Sequence, residues 1–325
     1  MRGLWTRFGA AAGVLVIAFI TSVVVLNQTV YTPVGFVRGY LDALARHDVA
    51  AALALAGPLP SSSAVDDFLT TEVLSDLESY TVEETTEVSG VHTVTAEYVA
   101  DGREGRTSFQ VERSSAVLGM FPTWRFASSP LAEVELTVLH ARDFTANGVR
   151  FVAPVQDVAS TYLAFTPGVI SLGHRSSFFE AAPQTVVLGS PKSDRTITVD
   201  AQANAAFTAL VDEQIRTYLD DCAAQQVLYP RGCPFGQPID DPRLASAPLW
   251  SITQYPTATV LATPIPGEWS VPQTPGSARI QVDVLDTYDG SIISLDTTVP
   301  FSVGFVVTFV GANEVVLTPE VGAVG

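Results

Sequence analysis

Lysine is almost missing from this chain: Lys192 is the only one among 325 residues, so the other basic residues are all arginine. Charged residues are also scarce, at 16% against 47% hydrophobic, which excludes a disordered, self-repelling chain. The 17 basic residues face 34 acidic ones, a formal net charge of -17. Neutralising phosphates requires a basic face, so nucleic acid is not an expected partner. Two cysteines are too few for a disulfide-dense scaffold or a four-cysteine zinc site. With four histidines, no His-x-x-x-His or His-Glu pattern occurs. Gly-x-Ser-x-Gly, Ser-x-x-Lys, a glycine-rich phosphate loop and an Asp-x-Asp-x-Asp-Gly calcium loop are absent as well. The expectation is therefore a non-enzymatic protein with no catalytic, cofactor-binding or metal residues and no cofactor.

What is present begins with an apolar run. No charged residue occurs from Phe8 to Leu26. Nineteen helical residues at about 1.5 Å each would reach roughly 28 Å, close to the hydrocarbon thickness of a bilayer. Arg2 and Arg7 precede the run and the next basic residue is Arg38. The positive-inside rule then reads residues 1–7 as a cytoplasmic tail, 8–26 as an uncleaved single-pass anchor, and everything later as extracytoplasmic. Trp5 and Tyr31 flank the run as interfacial aromatics. A cleaved signal peptide is the alternative. Its apolar core is usually shorter, and Asn27-Gln28-Thr29-Val30 offers no small-residue cleavage site. Asn27-Gln28-Thr29 also matches a glycosylation sequon, incidental so close to the membrane.

The remainder reads as three regions. Region 33–130 opens with helical spacing at Val37, Leu41 and Leu44, breaks at His47-Asp48, and resumes through an alanine-rich stretch to Ala56. A short acidic helix is expected from Asp66 to Ser79. Alternating strands follow, with Asp101-Gly102 as a hairpin turn. Region 131–199 shows short strands, with a turn at Asn147-Gly148, and reads as a small β-sandwich. Region 200–320 starts with an amphipathic helix carrying Phe207, Leu210, Val211, Ile215, Tyr218, Leu219 and Cys222 on one face. Strands follow it, interrupted by an expected proline-rich connection at Pro264, Pro266, Pro272 and Pro275. In an oxidising compartment Cys222 and Cys233 are expected to pair across their short loop, pinning that loop to the helix end. A Tyr-Leu-Asp step occurs twice, at Tyr40-Leu41-Asp42 and Tyr218-Leu219-Asp220.

The stretch from Phe36 to Ala56 resembles the opening of nuclear transport factor 2-like domains, with an apolar helix, a polar-Asp break and an alanine-rich second helix. The resemblance implies a cone of helices on a curved antiparallel sheet. The layout of residues 1–130 is similar to actinobacterial membrane proteins associated with teicoplanin resistance, which often carry a cytoplasmic zinc ribbon; about seven residues before the anchor leave no room for one. The expected fold class is α+β multidomain: a transmembrane helix, a nuclear transport factor 2-like α+β cone, a small β-sandwich and a second α+β module with a disulfide. The expected role is a membrane-anchored binding or scaffold protein of the cell envelope. Its partners would be the lipid bilayer and other envelope proteins or a small ligand. Two rivals remain: an assembly subunit of a membrane transport or conjugation complex, and an enzyme using a carboxylate in a cone pocket. For the enzyme, the acid pairs Asp66-Asp67, Glu83-Glu84, Asp220-Asp221 and Asp240-Asp241 are the candidates. Trp124, Trp250 and Trp269 are read as core residues in preference to a ligand cleft.

Overall fold

The computed structural model describes residues 17–26, 31–60, 64–117, 121–191, 194–240, 243–311 and 314–321. Helix α1 covers residues 17–26, α2 Pro33–Ala45, α3 Val49–Ala56 and α4 Ala205–Ala223. The strands are β1 (Leu77–Val88), β2 (Val91–Ala100), β3 (Arg103–Val117), β4 (Phe121–Phe126), β5 (Leu131–Leu139), β6 (Asp143–Ala146), β7 (Val149–Val152), β8 (Ser160–Phe165) and β9 (Gly168–Arg175). They continue as β10 (Phe179–Leu188), β11 (Asp194–Asp200), β12 (Gln202–Ala203), β13 (Leu249–Gln254), β14 (Leu261–Ala262), β15 (Glu268–Leu285), β16 (Ile292–Phe309) and β17 (Val315–Val321).

This corrects the expected fold class. Strands hold 50% of the chain and helices 17%, so the molecule is mostly β and not a series of α+β modules. No helix among the described residues is long and apolar enough to cross a membrane. Of the expected anchor, residues 8–16 lie outside the described residues. The described part, α1, is ten residues long. That is roughly 15 Å of helix, half a hydrocarbon core. Tyr31, expected at a membrane interface, packs its ring 4.7 Å from Phe121, and its carbonyl accepts a hydrogen bond from Trp124 Nε1. The sequon lies outside the described residues.

The chain divides into two compact units, residues 1–174 with 182–199, and residues 175–181 with 200–325. In the first, β1-β2-β3-β4 form an antiparallel meander. Helix α2 starts where Thr32 accepts a hydrogen bond from the Gly35 amide and Pro33 supplies a preset φ. His47 adopts φ 55, and Asp48 then caps α3 through the Ala51 amide. This is the physical content of the His47-Asp48 break: a left-handed residue ends one helix and a carboxylate starts the next. Val37, Tyr40, Leu41 and Leu44 are buried against Val94, Ala96, Phe109 and Val111 of the sheet. Each large apolar side chain so buried stabilises the fold by about 1.5–3 kcal/mol. Leu131, Leu163, Phe165 and Val169 join the same core. Strands β11-β5-β8 form a second sheet, and β10-β9-β6-β7 a third.

One local expectation fails here for an identifiable reason. The expected helix from Asp66 to Ser79 is a run of turns leading into β1 at Leu77. Its bonds from the Leu69 amide to Asp66 O and from the Leu74 amide to Thr70 O do not propagate. Phe68 is instead drawn into an aromatic cluster, stacked 4.5 Å from Tyr162. Tertiary burial of that ring outweighs weak helix propensity.

In the second unit, Asn204 caps α4 through the Phe207 amide. Phe207, Val211, Ile215 and Leu219 join one core with Trp269, Val271, Ile280, Val303 and Phe305. The sheet runs β13-β15-β16-β17, with β14 also paired to β15. The expected proline-rich connection ends early, because β15 passes through Pro272 and Pro275. A register shift between Val271 and Thr274 leaves Pro272 outside the ladder with β16, where a missing N–H costs nothing. Cys222 and Cys233 form a disulfide, with Cα atoms 5.7 Å apart.

Candidate functional site

Alternation along β1, β2 and β3 sorts their side chains onto two faces. One face carries Val94, Ala96, Phe109 and Val111 into the core. The other presents Thr81, Glu83, Thr93, Thr95, Glu97, Arg106, Ser108 and Gln110. Register places them in rows: Thr81 beside Glu97 beside Arg106, and Glu83 beside Thr95 beside Ser108. The Thr95 and Ser108 hydroxyls lie 3.0 Å apart, and Thr85 Oγ1 donates to the Thr93 carbonyl at 3.1 Å. Arg106 pairs with Glu97, and this hydrogen bond raises the arginine pKa above its ordinary value.

Three recesses meet at Arg106. The first holds about 560 Å³ and includes Ser79, Tyr80, Glu97 and Glu104. A second of about 180 Å³ lies over Thr85, Thr95 and Ser108, and a third of about 510 Å³ reaches Gln110, Ser128 and Ser190. At one end Gly105 sits against Tyr98: a Cβ there would lie 2.4 Å from the ring's Cζ. At the helix side, Tyr80 donates to Asp42 on α2. Burial first, then this bond to a carboxylate, pushes the Tyr80 pKa up to about 12.

The residues singled out by sequence are dispersed. His47 Nε2 lies 3.2 Å from Asp76, while His174 is buried with Nδ1 2.7 Å from the Asp143 carbonyl. His140 adopts φ 61 at a turn, where its amide donates to Asp157. Trp250 and Trp269 are buried core residues, and Trp250 Nε1 donates to the Val227 carbonyl. Asp66 and Asp67 are in the turn region before β1. Asp220 accepts a bond from Tyr255, whereas Asp221 is exposed; Asp241 lies outside the described residues. Glu83 and Glu84 point to opposite faces, so adjacency in sequence does not become a catalytic pair.

Glu84 Oε1 accepts from His92 Nδ1 at 2.7 Å, and Glu87 is close by. These three residues are the metal-competent group among the described residues. The sequence reading overlooked Arg106, the hydroxyl rows and this grouping. The period-two alternation of 91–99 held the signal for the rows, but cross-strand register was needed to align them. Compared with protein-family models, curated proteins and solved structures, the chain matches none.

Proposed function

We propose that this is a non-enzymatic extracytoplasmic binding or scaffold protein of the cell envelope, meeting its partner on the outer face of β1–β3. The observation that carries the reading is the convergence of two broad recesses and a smaller one on Arg106, across rows of threonine, serine and carboxylate side chains. Small-ligand sites enclose most of their ligand. An open polar sheet face instead suits an extended partner, held by many modest hydrogen bonds around one fixed cation. The Cys222–Cys233 disulfide supports the compartment, since such bonds persist in oxidising spaces.

In-cell crosslinking of the full-length chain, followed by identification of what co-purifies, tests this. A reproducible set of envelope proteins, depleted by Arg106→Glu and by Thr95→Arg, is the expected result. Recovery of the same set with both variants would remove the site. Hydrolytic or transfer activity in the purified protein would overturn the function.

A further inference from the structure

The hairpin joining β1 and β2 turns at Ser89 and Gly90, with φ 54 and 82. Cross-strand register pairs Glu87 with His92, so both side chains share a face. Glu84 is three residues from Glu87, and in a regular strand it would point the opposite way. It does not, because a bulge intervenes: Glu84 pairs with Val94 and Thr86 with Thr93, leaving Thr85 as an extra residue. The bulge turns Glu84 to the same face as Glu87 and His92. One donor atom from each then lies within 4.8 Å of the others.

We propose that Glu84, Glu87 and His92 form a binding site for a divalent transition-metal ion of the zinc class. The donor set argues for that class: imidazole with carboxylates suits zinc, copper and nickel, whereas calcium takes six to eight oxygens. The charge argues for a cation, since two carboxylates converge and Glu87 has no ion-pair partner among the described residues. The geometry is close to ready. Two donors held tetrahedrally at about 2.0–2.1 Å from zinc sit roughly 3.4 Å apart. Rotation of the exposed Glu87 side chain closes the remaining gap. His92 is already oriented, by Glu84 on one side and by the edge-on ring of Trp124, 4.9 Å away, on another. An entering ion replaces the Glu84–His92 hydrogen bond and leaves its remaining coordination positions to water or to a donor from another molecule. The site is on the face opposite Arg106 and does not rest on the proposed function.

Trp124 makes the test direct. Zinc binding to the full-length chain is measured by calorimetry, and copper binding by quenching of tryptophan fluorescence. Saturable zinc binding is expected, together with copper quenching that disappears in Trp124→Phe while zinc binding persists. Removing a ligand should cost at least the ~10-fold typical of losing an outer-sphere partner. His92→Ala and the milder, exposed Glu87→Gln should each show that loss. Absence of saturable zinc binding overturns the proposal, as does affinity unchanged by both substitutions.

Discussion

The two units each lay a Tyr-Leu-Asp helix on an antiparallel sheet, the four-stranded meander β1-β2-β3-β4 in one and the five-stranded β13-β15-β16-β17, with β14 also on β15, in the other. In both, the leucine is fully buried and the aspartate accepts a hydrogen bond from a tyrosine of the sheet region, Tyr80 to Asp42 and Tyr255 to Asp220. The units differ in how the tyrosine of the step is treated. Tyr40 is wholly buried between Phe109 and Phe126, and burial raises its pKa. Tyr218 stays partly exposed, and its hydroxyl donates to the Gly232 carbonyl in the disulfide loop. The difference teaches what the disulfide loop does locally. Where α3 and further strands bury the first helix, the second has a short covalent loop that supplies a polar partner.

The largest way to break this comparison is to open the loop. Cys222→Ser with Cys233→Ser should destabilise the second unit by about 3 kcal/mol on the chain-entropy estimate for a short loop. Calorimetry should show the transition of the second unit falling while that of the first stays in place; equal shifts in both would contradict it. Next comes Gly105→Ala, confined to the first unit. Its Cβ meets the Tyr98 ring at 2.4 Å, so the ring must move. Overpacking of this kind costs about 1–3 kcal/mol, and denaturant titration should show it.

The smallest effects sharpen the comparison. Asp42→Asn and Asp220→Asn turn equivalent charged acceptors into neutral ones, each change costing about 1 kcal/mol. The first should cost more, because Asp42 and Tyr80 are partly buried and Asp220 is exposed. A larger loss from Asp220→Asn would overturn the equivalence. Alkaline titration gives an independent readout. Tyr80 has a raised pKa in the folded state, about 12 against an ordinary 10, so the folded form keeps a proton that the unfolded form releases. Its contribution is full below pH 10 and is lost as pH rises through about 12. Tyr80→Phe should therefore flatten the loss of stability of the first unit over that range.

Much of the fold was legible because local rules and burial agreed. The spacing from Phe207 to Cys222 became α4, and Asp101-Gly102 and Asn147-Gly148 became turns with positive φ at both residues. Legibility failed where packing overrode a local pattern. The 66–79 stretch reads as a short acidic helix, but Phe68 found a stacking partner in Tyr162, distant in sequence. The apolar run was read as a span by its length, while only ten of its residues are described and they are helical. The hydroxyl rows and the Glu84–Glu87–His92 group depend on register and on one bulge, neither of which leaves a compositional trace.

By itself the sequence determined the chemistry available: net acidity, a lone disulfide, one lysine, and the periodicities that make α2, α4 and the first meander. These follow from residue identity and from interactions a few residues apart. Only the tertiary structure decided which residues meet. Tyr80 reaches Asp42 from 38 positions away, and the inserted Thr85 brings Glu84 round to His92. A one-residue change in strand register reverses every side chain beyond it, so such sites are set by pairing across strands and not by order along the chain.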